Sequence, residues 1–208
     1  MYVPSRRLPV ALSVCLLVPA VAWADDKPAA TPAAPAPATP ERPPFNAFNR
    51  TAYGHVKTLI LRSAEKMPEE NYGFKPDESI RSFGQILGHV ADSHNYFCSV
   101  ALGEQNPAKA VEKTKSSKAD LIASLRDAFA YCDRAYDGLT PAAGAEMVKL
   151  FGDRPLPKVD VLTANAMHGI EHYGNLIVYL RMKGLVPPSS EPGVMPGPKK
   201  DGAPGPPK

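Results

Sequence analysis

The sequence lacks an excess of either charge, any internal repeat and any hydrophobic run long enough to span a membrane. Its 24 Lys and Arg residues nearly balance 21 Asp and Glu residues, and the net charge is +3. No basic cluster marks one face of the chain, so we expect no nucleic-acid partner. The apolar run of residues 8–22 is shorter than the roughly 20 residues that a span needs, and Pro9 and Pro19 interrupt it.

The N-terminus has the pattern of a secretory signal peptide. Arg6 and Arg7 precede the apolar run, which ends in the small-x-small sequence from Ala22 to Ala24. This order of a basic, an apolar and a small-residue region predicts cleavage after Ala24. We therefore expect residues 1–24 to be removed, the mature protein to be periplasmic or otherwise exported, and no membrane span to remain.

Proline separates a central domain from both ends of the chain. Seven of the twenty residues in 25–44 are proline, and residues 186–208 contain eight more. Segments of this composition cannot bury a core, so we expect a disordered Pro/Ala-rich linker at 25–44 and a disordered tail at 186–208. The folded domain is then 45–185, an ordinary size for one domain.

Apolar residues in this domain recur at three- and four-residue spacing, which predicts amphipathic helices. No convincing alternating strand is visible, and the long loop 139–158 leaves room for a short helical turn or an extended piece around residues 146–151. The expected helices end at proline or glycine, and Ser117 with Asp120 is typical of a helix N-terminus. They cover residues 45–67, 82–103, 117–137 and 158–183. The sequence predicts an all-α four-helix bundle whose two long links can cross over the bundle.

Of the three cysteines, Cys98 and Cys132 remain in the predicted mature chain. An exported compartment permits a disulfide between them if the second and third helices are parallel neighbours. The alternative is two small buried apolar residues. We favour this alternative from the sequence, because the geometry that a disulfide needs is not set by the pattern.

The fourth helix carries His168 and His172, which lie four residues apart and so project from one side of the helix. A helical wheel places them beside Asn165, Asn175 and Tyr179, on the polar flank of the buried face. This spacing suits two nitrogen ligands of one metal ion. The alternative is an ordinary exposed histidine pair.

The residues leave the third ligand open. His89 lies on the flank of the second helix, whereas His94 lies deeper in its apolar stripe and fits a core histidine. His55 flanks the first helix and is a candidate for a fourth ligand, although its position fits a surface residue better. The string from His168 to His172 also matches H-x-x-E-H of one metalloprotease class, in which Glu171 would be a general base. Those proteases have large mixed α/β domains, whereas the pattern of this sequence predicts an all-α domain.

Three strings together resemble the DinB-like superfamily of bacterial metal-binding four-helix bundles. They are YGFKP at 72–76, RSFGQILGHVA at 81–91, and HGIEHYGNLIVYLRMKG at 168–184. The resemblance implies crossover links and a divalent metal ion, often zinc or nickel. It also implies the ligand set His89, His168 and His172, and so selects His89 over His94. Relatives are frequently dimers, so a homodimer is an expectation of the resemblance alone.

Some members of this superfamily are transferases that use low-molecular-weight thiols such as bacillithiol or mycothiol, and many have no assigned reaction. Those thiols are cytosolic, and predicted export sets this chain apart from such enzymes. Two hypotheses follow. One is a metal-dependent hydrolase or thiol-dependent transferase of an unknown small-molecule substrate, with Glu171 or Tyr179 handling protons. The other is a non-catalytic metal-binding or envelope interaction module.

Overall fold

Four long helices make up most of the domain. A computed structural model describes residues 45–152 and 155–192. The long helices are α1 (Phe45–Lys66), α2 (Phe83–Leu102), α4 (Lys118–Asp137) and α6 (Lys158–Met182), and the short helices in the links are α3 (Val111–Thr114) and α5 (Pro141–Ala145). Single 3₁₀ turns occupy Glu69–Asn71 and Pro188–Ser190. Strands β1 (Met147–Lys149) and β2 (Pro155–Pro157) form an antiparallel hairpin.

Side-chain caps and glycine set the ends of the second and third long helices, close to the predicted bounds. The Ser82 side chain accepts from the Gln85 N–H, and Gln85 accepts from the Ser82 N–H in return, which forms a capping box. Gly103 ends α2 in the left-handed conformation, with φ of 69°. The predicted cap at Ser117 is confirmed, because its hydroxyl accepts from the Asp120 N–H at 3.1 Å.

The four long helices pack in a ring in the order α1, α4, α2 and α6, so the first long helix does not lie beside the second. Both α1 and α2 pack against α4 and α6, which leaves α1 and α2 on one diagonal of the bundle. Among residues 45–152 and 155–192, no helix is both long and apolar enough to cross a membrane. The predicted all-α bundle is confirmed.

Helices α2 and α4 run parallel, so the chain must cross over between them. A Cβ added to Gly84, at the start of α2, would lie 3.2 Å from Leu121 at the start of α4. The Cα atoms of Cys98 and Cys132, towards the other ends, are 5.3 Å apart. The link 103–117 therefore returns along the bundle, and it carries α3 back to the N-terminal half of α2. This confirms the expected crossover.

The structure adds elements that the sequence pattern does not reveal. Helix α3 and the pairing of β1 with β2 were not predicted, because segments of three or four residues are too short to show a period. Strand β1 lies in the segment 146–151, for which the sequence left a helical turn or an extended piece open. Residues 186–192, assigned to the tail, pack on the bundle instead. Glu191 pairs with Arg62 and Lys66, and Ser189 bonds the hydroxyl of Tyr173 at 2.7 Å. The predicted signal peptide and linker, and residues 193–208, lie outside the described residues.

His94 is part of the core, as its place in the apolar stripe predicts. The side chain is fully buried and its ring meets Phe129 edge-on. Its Nδ1 lies 3.0 Å from the carbonyl oxygen of Val90, whereas Nε2 has no hydrogen-bond partner among the described residues. Burial lowers the pKa of His94 to about 4, because the charged imidazolium would lose its hydration.

The sequence-based preference for two unpaired cysteines was wrong, because Cys98 and Cys132 form a disulfide. The parallel packing of α2 and α4 brings two residues at matching heights together, which is the condition that the pattern alone left open. Both cysteines are fully buried, and the amide of Asn165 points at both sulfur atoms, at 3.6 and 3.8 Å. The bond therefore ties α2 to α4 inside the core.

Replacement of both cysteines by alanine is expected to lower the free energy of unfolding. The disulfide closes a loop with a sequence separation of 34, for which the chain-entropy relation gives about 3–4 kcal/mol. Urea unfolding of the oxidised wild type and the double variant measures this difference. Equal stability of the two proteins would show that the bond does not constrain the unfolded chain as proposed.

Acidification is expected to destabilise the metal-free protein through His94. The pKa of His94 is lowered from about 6.5 in the unfolded chain to about 4 in the fold. The unfolded chain thus takes up the proton first, and the stability present above pH 6.5 is lost as the pH falls towards 4. Between pH 7 and pH 5 the linkage relation gives a loss of about 2 kcal/mol.

The measurement is urea unfolding at both pH values, in the presence of a chelator, for the wild type and His94→Gln. Because Gln does not titrate, the stability difference between the two proteins should narrow at pH 5. A difference that does not depend on pH would contradict the assignment.

Candidate metal centre

Three histidines from two antiparallel helices meet at one point of the bundle. His89 projects from the N-terminal half of α2, and His168 and His172 project from consecutive turns of α6. Between the α6 pair, Gly169 allows a close helix contact, since a Cβ there would lie 2.7 Å from Cγ1 of Val56. The glycine that follows His168 thus allows α6 to pack closely against α1.

The ring nitrogens have the separation of ligands that share an ion. Nε2 of His168 lies 3.3 Å from Nε2 of His89 and 3.2 Å from Nε2 of His172. One ligand atom from each residue lies within 4.8 Å of the other two. Two nitrogens bound tetrahedrally to zinc at about 2.0–2.1 Å are about 3.3–3.4 Å apart. The three imidazoles therefore fit a divalent metal ion.

The local electrostatics keep these imidazoles neutral, which is the state that binds metal. Burial lowers the pKa of His172 to about 4, and it also lowers the pKa of His89 and His168. The positive charge of Arg81 lowers all three further. At neutral pH, a metal ion would therefore not have to compete with protons for the three ring nitrogens.

Glu112 contacts the outer nitrogen of His89. Its Oε2 lies 3.3 Å from Nδ1 of His89, and its Oε1 accepts from Nε of Arg81 at 2.9 Å. A carboxylate in this position fixes the tautomer that leaves Nε2 free for the metal, and it orients the ring. Sequence reasoning missed Glu112, because it lies in a four-residue helix that carries no periodic signal.

Two features of the chain hold α3 in place beside His89. The carboxylate of Asp92 accepts from the backbone N–H groups of Val111 and Glu112, at 2.8 and 3.0 Å. Gly88 leaves room for the approach, since a Cβ there would lie 2.6 Å from Cα of Glu112. Ala110 enters α3 at φ of 64° and is the one non-glycine residue with positive φ in the described chain. Any such residue costs conformational energy, so the fold stabilises this entry by other contacts.

A cavity of about 590 Å³ opens beside His172. Its walls include Arg81, Asn175 and Tyr179. The hydroxyl of Tyr179 donates to the carbonyl oxygen of Arg81 at 2.5 Å, and burial raises the pKa of this phenol. The amide of Asn175 lies 3.4 Å from Nδ1 of His172. This volume is ample for a small organic molecule next to His172, which is the one histidine of the cluster that lines the cavity.

The other predicted residues are placed as follows. Glu171 is exposed on α6 and lies outside the histidine cluster, whereas Tyr179 lines the cavity. His55 is half-buried on α1 and His94 lies in the core, and neither belongs to the cluster. The wheel put His172 on a polar flank, but the closing of α2 and α6 leaves it buried.

Comparison with known proteins identifies the same fold. The model of the DinB superfamily matches residues 52–176, which is more than half of the chain. A search of curated proteins found no match to this chain.

A DinB-like protein from Bacillus cereus is 16% identical, with a TM-score of 0.60, over 67% of this chain and 93% of that one. A DinB-like protein from Bacillus subtilis is 22% identical, with a TM-score of 0.55, over 66% and 92%. The mycothiol-dependent maleylpyruvate isomerase is 16% identical, with a TM-score of 0.52, over 63% of this chain and 60% of the isomerase. At identities this low, the structural likeness shows a shared fold alone. The match to the family model over residues 52–176 shows that this chain belongs to the DinB superfamily.

Proposed function

We propose that this protein is an exported, metal-dependent hydrolase or transferase that acts on a small organic molecule. The observation that carries the proposal is the convergence of His89, His168 and His172, one ligand atom each within 4.8 Å, beside an open cavity. Three protein ligands with space for a fourth are typical of catalytic sites, whereas structural zinc sites are closed by four. Zinc or nickel is the expected ion.

The cluster has no fourth protein ligand in residues 45–152 and 155–192. Glu112, the nearest carboxylate, contacts the outer nitrogen of His89 and so lies one shell away from the position of the ion. A bound divalent ion would supply Lewis acidity, which polarises an oxygen or sulfur ligand. In this proposal the histidines hold the ion, Glu112 orients His89, and the cavity admits the substrate.

Proton transfer is assigned to Tyr179 or Glu171. Tyr179 lines the same cavity as His172, but its hydroxyl must leave the carbonyl oxygen of Arg81 before it can reach a substrate. Glu171 is exposed and would exchange protons with solvent. The buried environment of Tyr179 makes it the better-placed donor, because it can deliver a proton within the cavity.

Export favours hydrolysis over thiol transfer. The N-terminal pattern predicts secretion, and the Cys98–Cys132 disulfide is of the kind that oxidising compartments sustain. The related isomerase depends on mycothiol, and thiols of this kind are cytosolic. Water is therefore the more accessible nucleophile for an exported relative.

A non-catalytic metal-binding or envelope module is the second candidate. The observation in its favour is that the ligands come from two antiparallel helices, so an ion would crosslink α2 and α6. An open cavity beside the ion serves no purpose in such a module, and for this reason we prefer the enzyme.

The metal content of the purified protein tests the three-histidine site. Wild-type protein is expected to carry about one divalent ion per chain after purification, and His168→Ala/His172→Ala is expected to carry almost none. Elemental analysis by mass spectrometry measures both. His55→Ala is the matched control and should keep its metal, because His55 lies outside the cluster. Equal metal in wild type and the double variant would end the assignment.

The metal affinity of a Glu112 variant tests the role of this carboxylate. Glu112→Gln is expected to raise the dissociation constant of the metal by roughly 10- to 100-fold, the usual effect of losing a carboxylate behind a ligating histidine. Competition with a chromophoric chelator measures the constant. Glu104→Gln is the control, since Glu104 pairs with Arg134 elsewhere on the surface. An unchanged constant in Glu112→Gln would mean that this carboxylate does not tune the site.

A further inference from the structure

The cavity beside the metal centre holds an arginine that the proposed chemistry leaves unused. Its walls bring together residues from the 75–85 segment, α3 and α6, and include Lys75, Arg81, Gln85, Glu112, His172 and Asn175. Cavities of roughly 300–1,000 Å³ are the usual size of small-molecule sites. At about 590 Å³, this one has room for a ligand that contacts both His172 and Arg81.

Arg81 is held in a fixed position. The Tyr179 hydroxyl donates to its backbone oxygen, and its Nε donates to Oε1 of Glu112 at 2.9 Å. One terminal nitrogen, Nη2, lies 3.5 Å from Nδ1 of His89. The side chain is nevertheless 44% exposed, and Arg81 is one of the residues that line the cavity. Because a guanidinium has five N–H donors, the bond to Glu112 leaves a fork of donors available to a ligand.

With a divalent ion bound, the surroundings of the Arg81 guanidinium would carry an excess of positive charge that favours an anionic ligand. Three neutral imidazoles do not offset the charge of a divalent ion. The single negative charge of Glu112 is already paired with Arg81, and its other oxygen contacts the neutral ring of His89. A bound ion and Arg81 would therefore repel each other unless a negative group lay between them. Lys75 adds a second cation to the wall, and its partner Glu78 lies 3.8 Å away and is almost fully exposed.

We propose that Arg81 binds the carboxylate of the substrate while another group of the same molecule reaches the metal. This inference rests on the proposed function and names its substrate class, a small organic carboxylate. A planar carboxylate matches the guanidinium fork. A doubly charged phosphate fits less well, because it would put two negative charges on one group beside the Glu112 carboxylate, whereas a carboxylate puts one there.

The test compares two probes on the full chain loaded with cobalt, whose visible spectrum reports the ligands of the ion. The probes are succinate and its half-amide, succinamate, which differ by one negative charge. Wild type is expected to bind succinate on the order of 10-fold more tightly than succinamate, since hydrogen bonds between charged groups are the stronger ones. In Arg81→Gln this preference should disappear, and in Arg81→Lys it should be intermediate.

Arg126→Gln is the matched control, since Arg126 pairs with Glu65 on the surface between α1 and α4, and it should keep the preference. Helical content and cobalt content are checked in every variant, and Arg81→Lys keeps the charge where Arg81→Gln does not fold. An equal preference in wild type and Arg81→Gln, with equal cobalt, overturns the carboxylate site and leaves the metal centre standing. A wild type that binds no cobalt through its histidines overturns both.

Discussion

The close contact between α3 and α2 at Gly88 is the constraint on which the site depends. No side chain fits there, because a Cβ would lie 2.6 Å from the Cα of Glu112. This approach puts the Glu112 carboxylate within reach of both His89 and Arg81. A larger residue at position 88 would push α3 outward and so separate the Glu112 carboxylate from His89, the candidate metal ligand.

The topology explains why α3 is there at all. Two parallel helices cannot be joined by a short turn, so the chain must travel back along the bundle between α2 and α4. That return passes the N-terminal half of α2, where Asp92 binds the first N–H groups of α3. The crossover that the bundle needs for its connectivity thus also supplies the outer shell of the candidate metal centre.

The parts of the fold that could be predicted from the sequence are those with a periodic pattern of apolar residues. Four long helices have a periodic apolar face, and their bounds follow from proline, glycine and caps such as Ser117, so the bundle could be predicted closely. His168 and His172 could be paired because helical geometry fixes their relation. The third ligand was different: the wheel left His89 and His94 open, and the family resemblance selected His89.

What could not be predicted depends on contacts between distant segments. Glu112 acquires its role only when α3 folds back onto Gly88, and four residues give no period from which that fold could be recognised. The disulfide was missed for the same reason, since the match of Cys98 with Cys132 requires parallel α2 and α4. Arg81 stood inside a recognised string, yet its importance follows from the cavity, which no linear pattern describes.

The contacts along α2 bear on the role of an ion that the three histidines would hold. Cys98 binds this helix covalently to α4, Asp92 binds it to α3, and His89 faces α6. A buried core of aliphatic and aromatic side chains runs through the same interfaces. Structural metal ions matter most in domains too small to bury such a core. Here an ion would add little that the packing and the disulfide do not already provide, so the three histidines are better explained by chemistry at the open cavity.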